Sequence, residues 1–114
     1  MERRFRDGGF SPPSLAEAVA GVKIPGTTAE EMLQYLLDTD AVVKVSEDLG
    51  FHRDALAEAR QRVSEFLTAR GKMGMAEFRD LLGTTRKYAV PLLEYFDAIK
   101  VTRRVGDERI LART

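Results

Sequence analysis

Hydrophobic positions in the second half of the chain recur at helical spacing and then give way to short extended runs. After Asp54, a residue type that caps helices, Leu56, Ala59, Val63, Phe66 and Leu67 fall on one face of a predicted helix that Gly71 ends. Met75 to Leu82 predicts a second, short helix with Phe78, Leu81 and Leu82 inward. Gly83 turns the chain, Thr84 or Thr85 caps a third helix, and Val90, Leu93 and Phe96 supply its buried stripe. From Ile99 to Leu111 two extended runs surround Gly106-Asp107, which predicts a β-hairpin. Three helices followed by a hairpin is the winged-helix variant of the helix-turn-helix, in which a tight glycine-containing turn joins the second and third helices.

The same parts occur earlier in the chain. Laying Gly26-Thr27-Thr28 on Gly83-Thr84-Thr85 carries Leu33 onto Val90, Leu36 onto Leu93, Asp40-Ala41 onto Asp97-Ala98 and Val42 onto Ile99 without a gap. Upstream, Leu15, Ala18 and Val19 match Phe78, Leu81 and Leu82, and the first copy has Ala20 to Pro25 in addition. Its predicted elements are helices over Ser14 to Val19 and Thr28 to Leu37, and a hairpin over Val42 to Arg53 turning near Asp48-Leu49-Gly50. Only Glu2 to Asp7 precedes the Gly8-Gly9 break, so the first helix is short and the chain reads as the C-terminal piece of a longer protein. The predicted fold class is mainly α with small β-hairpins (α+β), as two tandem winged-helix domains over residues 1–54 and 55–114.

Composition narrows the chemistry. A chain of 114 residues, 44% apolar and 32% charged, holds one ordinary domain or two very small ones. No apolar run approaches the roughly 20 residues that span a bilayer, and Met1 to Asp7 has no apolar core of a secretory signal. The absence of cysteine excludes disulfides and thiolate metal sites and fits the reducing cytoplasm. His52, the only histidine, reads as a surface or turn residue with no partner for a metal. Glu30-Glu31 and Asp107-Glu108 are sequence neighbours, suited to solvation rather than paired acid-base work. With no nucleophile-base arrangement in view, neither catalysis nor a cofactor is expected.

A formal net charge of zero conceals sorted charges. From Gly26 to Leu56, Lys44 and Arg53 face Glu30, Glu31, Asp38, Asp40, Glu47, Asp48 and Asp54. From Gly83 to Arg113, Arg86, Lys87, Lys100, Arg103, Arg104, Arg109 and Arg113 outnumber Glu94, Asp97, Asp107 and Glu108. In the ungapped register Arg86 and Lys87 replace Ala29 and Glu30, while Arg103 and Arg104 replace Ser46 and Glu47. Cations at a helix start oppose the dipole at about 0.3–1 kcal/mol each. A polyanion resolves that conflict, because free amides, the Thr84 and Thr85 hydroxyls, Arg86 and Lys87 can converge on phosphate.

Arg103, Arg104 and Arg109 add charge on the predicted wing, and Tyr88 offers either a ring for stacking on an unpaired base or half-buried packing. Pro91 removes the amide that would bond the Lys87 carbonyl; either a kink re-aims Arg86 to Tyr88 or packing tolerates a bend. The candidate RNA-binding residues are thus Thr84, Thr85, Arg86, Lys87, Tyr88, Arg103, Arg104 and Arg109. From these residues alone a DNA-binding regulator with its third helix in a major groove and a protein-interaction module both stay open.

Three stretches carry a family resemblance: Ala76-Glu77-Phe78-Arg79-Asp80-Leu81-Leu82-Gly83-Thr84-Thr85-Arg86-Lys87-Tyr88-Ala89, Pro91-Leu92-Leu93-Glu94-Tyr95-Phe96-Asp97 and Thr102-Arg103-Arg104-Val105-Gly106-Asp107. They closely resemble the last winged-helix domain of the bacterial selenocysteine-specific elongation factors, the SelB family; the first copy resembles the penultimate domain more loosely. The resemblance implies that the last domain binds the messenger-RNA hairpin (SECIS) that marks a UGA codon for selenocysteine, through the hairpin tip and a bulged base. It implies Thr85, Arg86, Lys87, Tyr88, Arg103 and Arg104 as contacts.

Family members also carry a translational GTPase that delivers selenocysteyl-tRNA to the ribosome. No GxxxxGK[ST] phosphate loop occurs in this sequence, so those activities and partners are expected only through other parts of the factor. A monomer without a membrane partner is expected, since one acidic copy leaves no two equivalent readers for a symmetric dimer. The acidic copy looks like a spacer, or a contact for another protein or a ribosomal component.

Overall fold

Ser14 and Glu17 close a helix start reciprocally: the Glu17 amide donates to Ser14 Oγ at 3.0 Å and the Ser14 amide donates to the Glu17 carboxylate at 3.4 Å. In the computed structural model, which describes residues 1–22 and 28–112, this cap opens α2, Leu15–Ala20. Gly26 and Thr27, on which the repeat was anchored, and Arg113 lie outside the described residues. The chain divides into two compact units, Met1–Leu56 and Ala57–Thr114.

The first unit comprises α1 (Glu2–Gly8), α2, α3 (Ala29–Asp38) and an antiparallel pair, β1 (Val42–Ser46) and β2 (Leu49–His52). Phe5, Leu15, Ala18, Leu36, Ala41 and Val42 form its core, each large side chain contributing about 1.5–3 kcal/mol by leaving water. The turn residue Asp48 binds the start of α2, its carbonyl accepting from the Leu15 amide and its carboxylate from the Ala16 amide, both at 3.0 Å. Gly50 is not at the turn, as its type had implied, but inside β2. A Cβ there would stand 2.8 Å from Val42 Cγ1, so packing rather than turn geometry requires glycine.

His52 is not a surface residue. Its side chain is 1% exposed, with Nδ1 accepting from the Asp54 amide at 3.2 Å and Nε2 lying 2.8 Å from Glu2 Oε2. The amide donor at Nδ1 places the ring proton on Nε2, where it is donated to the carboxylate. His52, rather than Asp54, therefore satisfies an early amide of α4 (Arg53–Arg70), and it ties that helix start to α1. The bond from His52, with lesser help from Arg6 and against the opposing effect of burial, holds the Glu2 carboxyl below its ordinary value of 4.5. A depressed carboxylate contributes stability above its unfolded value and loses it as pH falls through the folded one. Glu2→Gln is therefore expected to lower the melting temperature at neutral pH, to change it little in strong acid, and so to flatten the acid limb of the unfolding curve below about pH 4.5, as a melting series across pH will read.

In the second unit Ala59, Val63 and Leu67 along α4 are buried at i, i+4 spacing, with Phe66 half-buried beside them. A short strand absent from the sequence reading, β3 (Met73–Gly74), precedes α5 (Met75–Leu82) and α6 (Arg86–Ala98). The wing is β4 (Thr102–Val105) and β5 (Glu108–Leu111), and the antiparallel sheet has the order β3-β5-β4.

The ungapped register between the two units, which matches the cap residues Thr28 and Thr85, does not hold past the third helices. After Asp38 and after Ala98 comes the same succession: a cap residue (Thr39, Ile99), a left-handed residue (Asp40, φ 59°; Lys100, φ 62°) and a buried residue (Ala41, Val101). The carbonyls of Ala41 and Val101 each accept the amide that closes the hairpin, from Arg53 at 2.9 Å and from Ala112 at 3.2 Å. At the helix ends Ala98, not Tyr95, is thus the counterpart of Asp38. A slip of three residues turns a helix to within about 60° of a full circle, so the apolar stripe still overlaps and the wrong register looked acceptable. α6 is three residues longer than α3, so Arg103 and Arg104 stand where Val43 and Lys44 do.

Candidate nucleic-acid interface

Gly83 ends α5 in the left-handed conformation, φ 66° and ψ 33°, which a side chain would strain. Its amide and that of Thr84 return to the Asp80 and Arg79 carbonyls at 3.1 and 3.2 Å. Extended Thr85 then occupies the cap position of α6, its carbonyl accepting from the Tyr88 and Ala89 amides at 3.1 and 2.9 Å. Its side chain makes no capping hydrogen bond, and the first turn holds no acid. α3 is built differently: Thr28 Oγ1 accepts from the Glu31 amide at 3.1 Å and donates to Glu31 Oε1 at 3.0 Å. One helix start is closed by its own acid; the other presents its positive end with Arg86 and Lys87 exposed.

The direction of α6 is set by its buried face. Ala89, Leu92, Leu93 and Phe96 are inaccessible, Phe78 and Phe96 pack edge to face at 6.4 Å, and Arg62 Nη1 of α4 donates to the Leu81 carbonyl at 3.2 Å. Pro91 lies within α6 without interrupting it, and its missing amide leaves the Lys87 carbonyl without the usual helical donor. Lys87 Nζ sits 5.4 Å from the centroid of the half-buried Tyr88 ring, so cation and ring form one group at the helix start.

The wing is fastened to α6 by one carboxylate. Asp97 accepts from Thr102 Oγ1 at 2.6 Å and from Arg109 Nε, which lies 3.1 and 3.0 Å from its two oxygens. Arg109, expected as an exposed wing charge, therefore has a side chain only 6% exposed and paired beneath the surface. Its strand is the middle one of the sheet, and burial there demands a partner for the guanidinium. Arg103 and Arg104 are exposed, and Arg104 Nε donates to the Gly106 carbonyl at 3.0 Å, holding one end of its side chain against the wing turn.

Two clefts gather the cations. One of about 340 Å³ is bordered by Arg86 and Val90 of α6, Arg104 and Asp107 of the wing, and Arg109 at its base, with Glu94 opposite. The other, about 400 Å³, is lined by Lys100, Arg103 and Arg104 with Asp97, over Ile110 and Leu111. Arg104 borders both. The structure thus unites Arg86 with Arg104, and Arg103 with Arg104, while Arg109 serves from below. Sequence reasoning had left Asp97 and Lys100 out of the site. Only the i, i+5 interval between Asp97 and Thr102 across a helix end hinted at the first, and nothing local at the second. Among the described residues no group of His, Cys, Asp or Glu is placed to hold a metal ion.

Helix order, three-stranded sheet and exposed cations together define a winged-helix domain whose third helix and wing present positive charge. The family described as "Elongation factor SelB, winged helix" matches residues 65–111. The chain is 34% identical over 96% of its length to the selenocysteine-specific elongation factor of Desulfomicrobium baculatum, and 32% identical over 78% to that of Escherichia coli (strain K12). It spans 17% and 15% of the lengths of those relatives. It also resembles the solved mRNA-binding domain of Escherichia coli SelB in complex with SECIS RNA, at 31% identity and a TM-score of 0.67, covering 77% of this chain and 75% of that one. The chain belongs to the SelB family of selenocysteine-specific elongation factors.

Proposed function

We propose that this chain is the messenger-RNA-binding part of a selenocysteine-specific elongation factor and that its second unit grips the SECIS hairpin, loop and bulged base, which recodes UGA. The observation that carries this reading is the cleft where Arg86, at an uncapped helix start, meets Arg104 of the wing. Free amides and guanidinium groups there can take phosphate oxygens from two directions. Thr84, Thr85, Lys87, Tyr88 and Arg103 complete the contact set, with Tyr88 stacking on an unpaired base and Arg109 bracing the wing from beneath. The first unit is a second winged helix in tandem, the two domains covering 1–54 and 55–114. Its helix-helix-hairpin order and its matching hairpin closure support that assignment. Ribosome and selenocysteyl-tRNA engage the GTPase part of the factor in the cytoplasm, and the chain itself is a non-catalytic monomer.

A competition titration tests the reading. Labelled hairpin RNA bound to the chain is expected to stay bound when duplex DNA is added in excess at equal phosphate concentration, and to bind several-fold more weakly once its unpaired loop base is deleted. Displacement by the duplex, with no effect of the loop base, would instead establish a groove-reading DNA regulator.

A further inference from the structure

Lys100 is the one residue among those described, other than glycine and Asp40, that holds a positive φ, 62°. This left-handed geometry suits glycine and is tolerated by Asp and Asn, but it is uncommon for a long side chain. The chain follows that rule elsewhere: Gly71 and Gly83 occupy the left-handed position after α4 and α5, and Asp40 occupies it after α3. After α6 a lysine stands where glycine would be relaxed. Strain held at one position is a pointer to use.

Its surroundings give the use a chemistry. Lys100 lines the cleft of about 400 Å³ together with Arg103 and Arg104, and its ammonium has no ion pair with any described residue. The only carboxylate lining that cleft, Asp97, is already held by Arg109 and Thr102. Three cationic residues therefore border one opening without a counter-charge free to neutralise them, beside the apolar Ile110 and Leu111, against which a ribose can lie. A phosphodiester is the ligand that fits: it supplies the missing negative charge and can accept from Lys100 and a neighbouring guanidinium.

We infer that Lys100 is a further phosphate contact of the RNA-binding surface, placed in the second cleft by a backbone conformation that costs the fold stability. This rests on the RNA-binding reading above. The test uses the full chain, a labelled hairpin RNA and three variants, Lys100→Gly, Lys100→Arg and Arg86→Glu, followed by anisotropy across a salt series and by thermal melting. Lys100→Gly is expected to melt at or above the temperature of the unaltered chain, yet to bind the RNA several-fold more weakly, with a salt slope shallower by roughly 0.7–0.9. Lys100→Arg is expected to restore both affinity and slope. A merely structural lysine cannot give this pattern, because relief of strain and loss of binding have opposite signs. An unchanged affinity and slope in Lys100→Gly, with Arg86→Glu still impaired, overturns the inference alone. Failure of the unaltered chain to bind hairpin RNA, or indifference to Arg86→Glu, overturns the underlying reading and this one with it.

Discussion

Arg86→Glu is expected to abolish retention of a hairpin RNA at near-physiological salt while leaving the fold as stable as before. Removing a charge-assisted contact to phosphate costs about 1.5–3 kcal/mol, and the introduced carboxylate adds repulsion, so a loss of roughly 100-fold or more is expected. Stability moves the other way. Arg86 is exposed at the first position of α6, where an acid suits the helix dipole by about 0.3–1 kcal/mol, so the melting temperature is expected to hold or rise slightly. Arg103→Glu is expected to weaken binding in the same manner from the wing. The control is Lys44→Glu, because Lys44 is the exposed first-unit counterpart of Arg104 in the register set by the helix ends. Equal loss from Lys44→Glu and Arg86→Glu would show that both units share the RNA, and would overturn the assignment of the grip to the second.

Asp97→Ala is expected to be the most damaging single change in the second unit. It strands the Arg109 guanidinium, 6% exposed, and leaves Thr102 Oγ1 without its acceptor. Breaking one partner out of a buried pair costs about 3–5 kcal/mol, a large share of what a unit of this size holds in reserve. A fall in melting temperature of more than about 10 °C follows. The companion variant Asp97→Ala with Arg109→Met removes both charges together and is expected to recover much of that loss, since the burial penalty goes with the pair. It also fixes the role of Arg109. If Arg109 only braces the wing, the refolded double variant keeps most of its RNA affinity; if it touches phosphate, affinity stays low despite recovered stability.

The limits of sequence reading fall at identifiable residues. The helices over Ser14 to Val19, Met75 to Leu82 and the third helix of the second unit were legible because apolar spacing and turn glycines are local signals, and Gly83 and Gly71 do terminate their helices. The register read between the two units, by contrast, fails past the ends of α3 and α6. A three-residue extension of a helix preserves the apolar stripe, so only the positions where α3 and α6 end could reveal it.

His52 and Arg109 mark the other limit. Both were read as surface side chains, by type and by hairpin position, and both are buried against acids, Glu2 fifty positions away in sequence and Asp97 twelve away. The chain by itself determined the helices, the wing, the sorted charges and the family, since periodicity, turn chemistry and motif are written along the backbone order. Only the tertiary structure decided which cations stay at the surface and which are consumed as braces. A guanidinium or imidazole has no fate of its own; burial raises the cost of its charge or its proton, and the partner that meets that cost arrives from elsewhere in the fold.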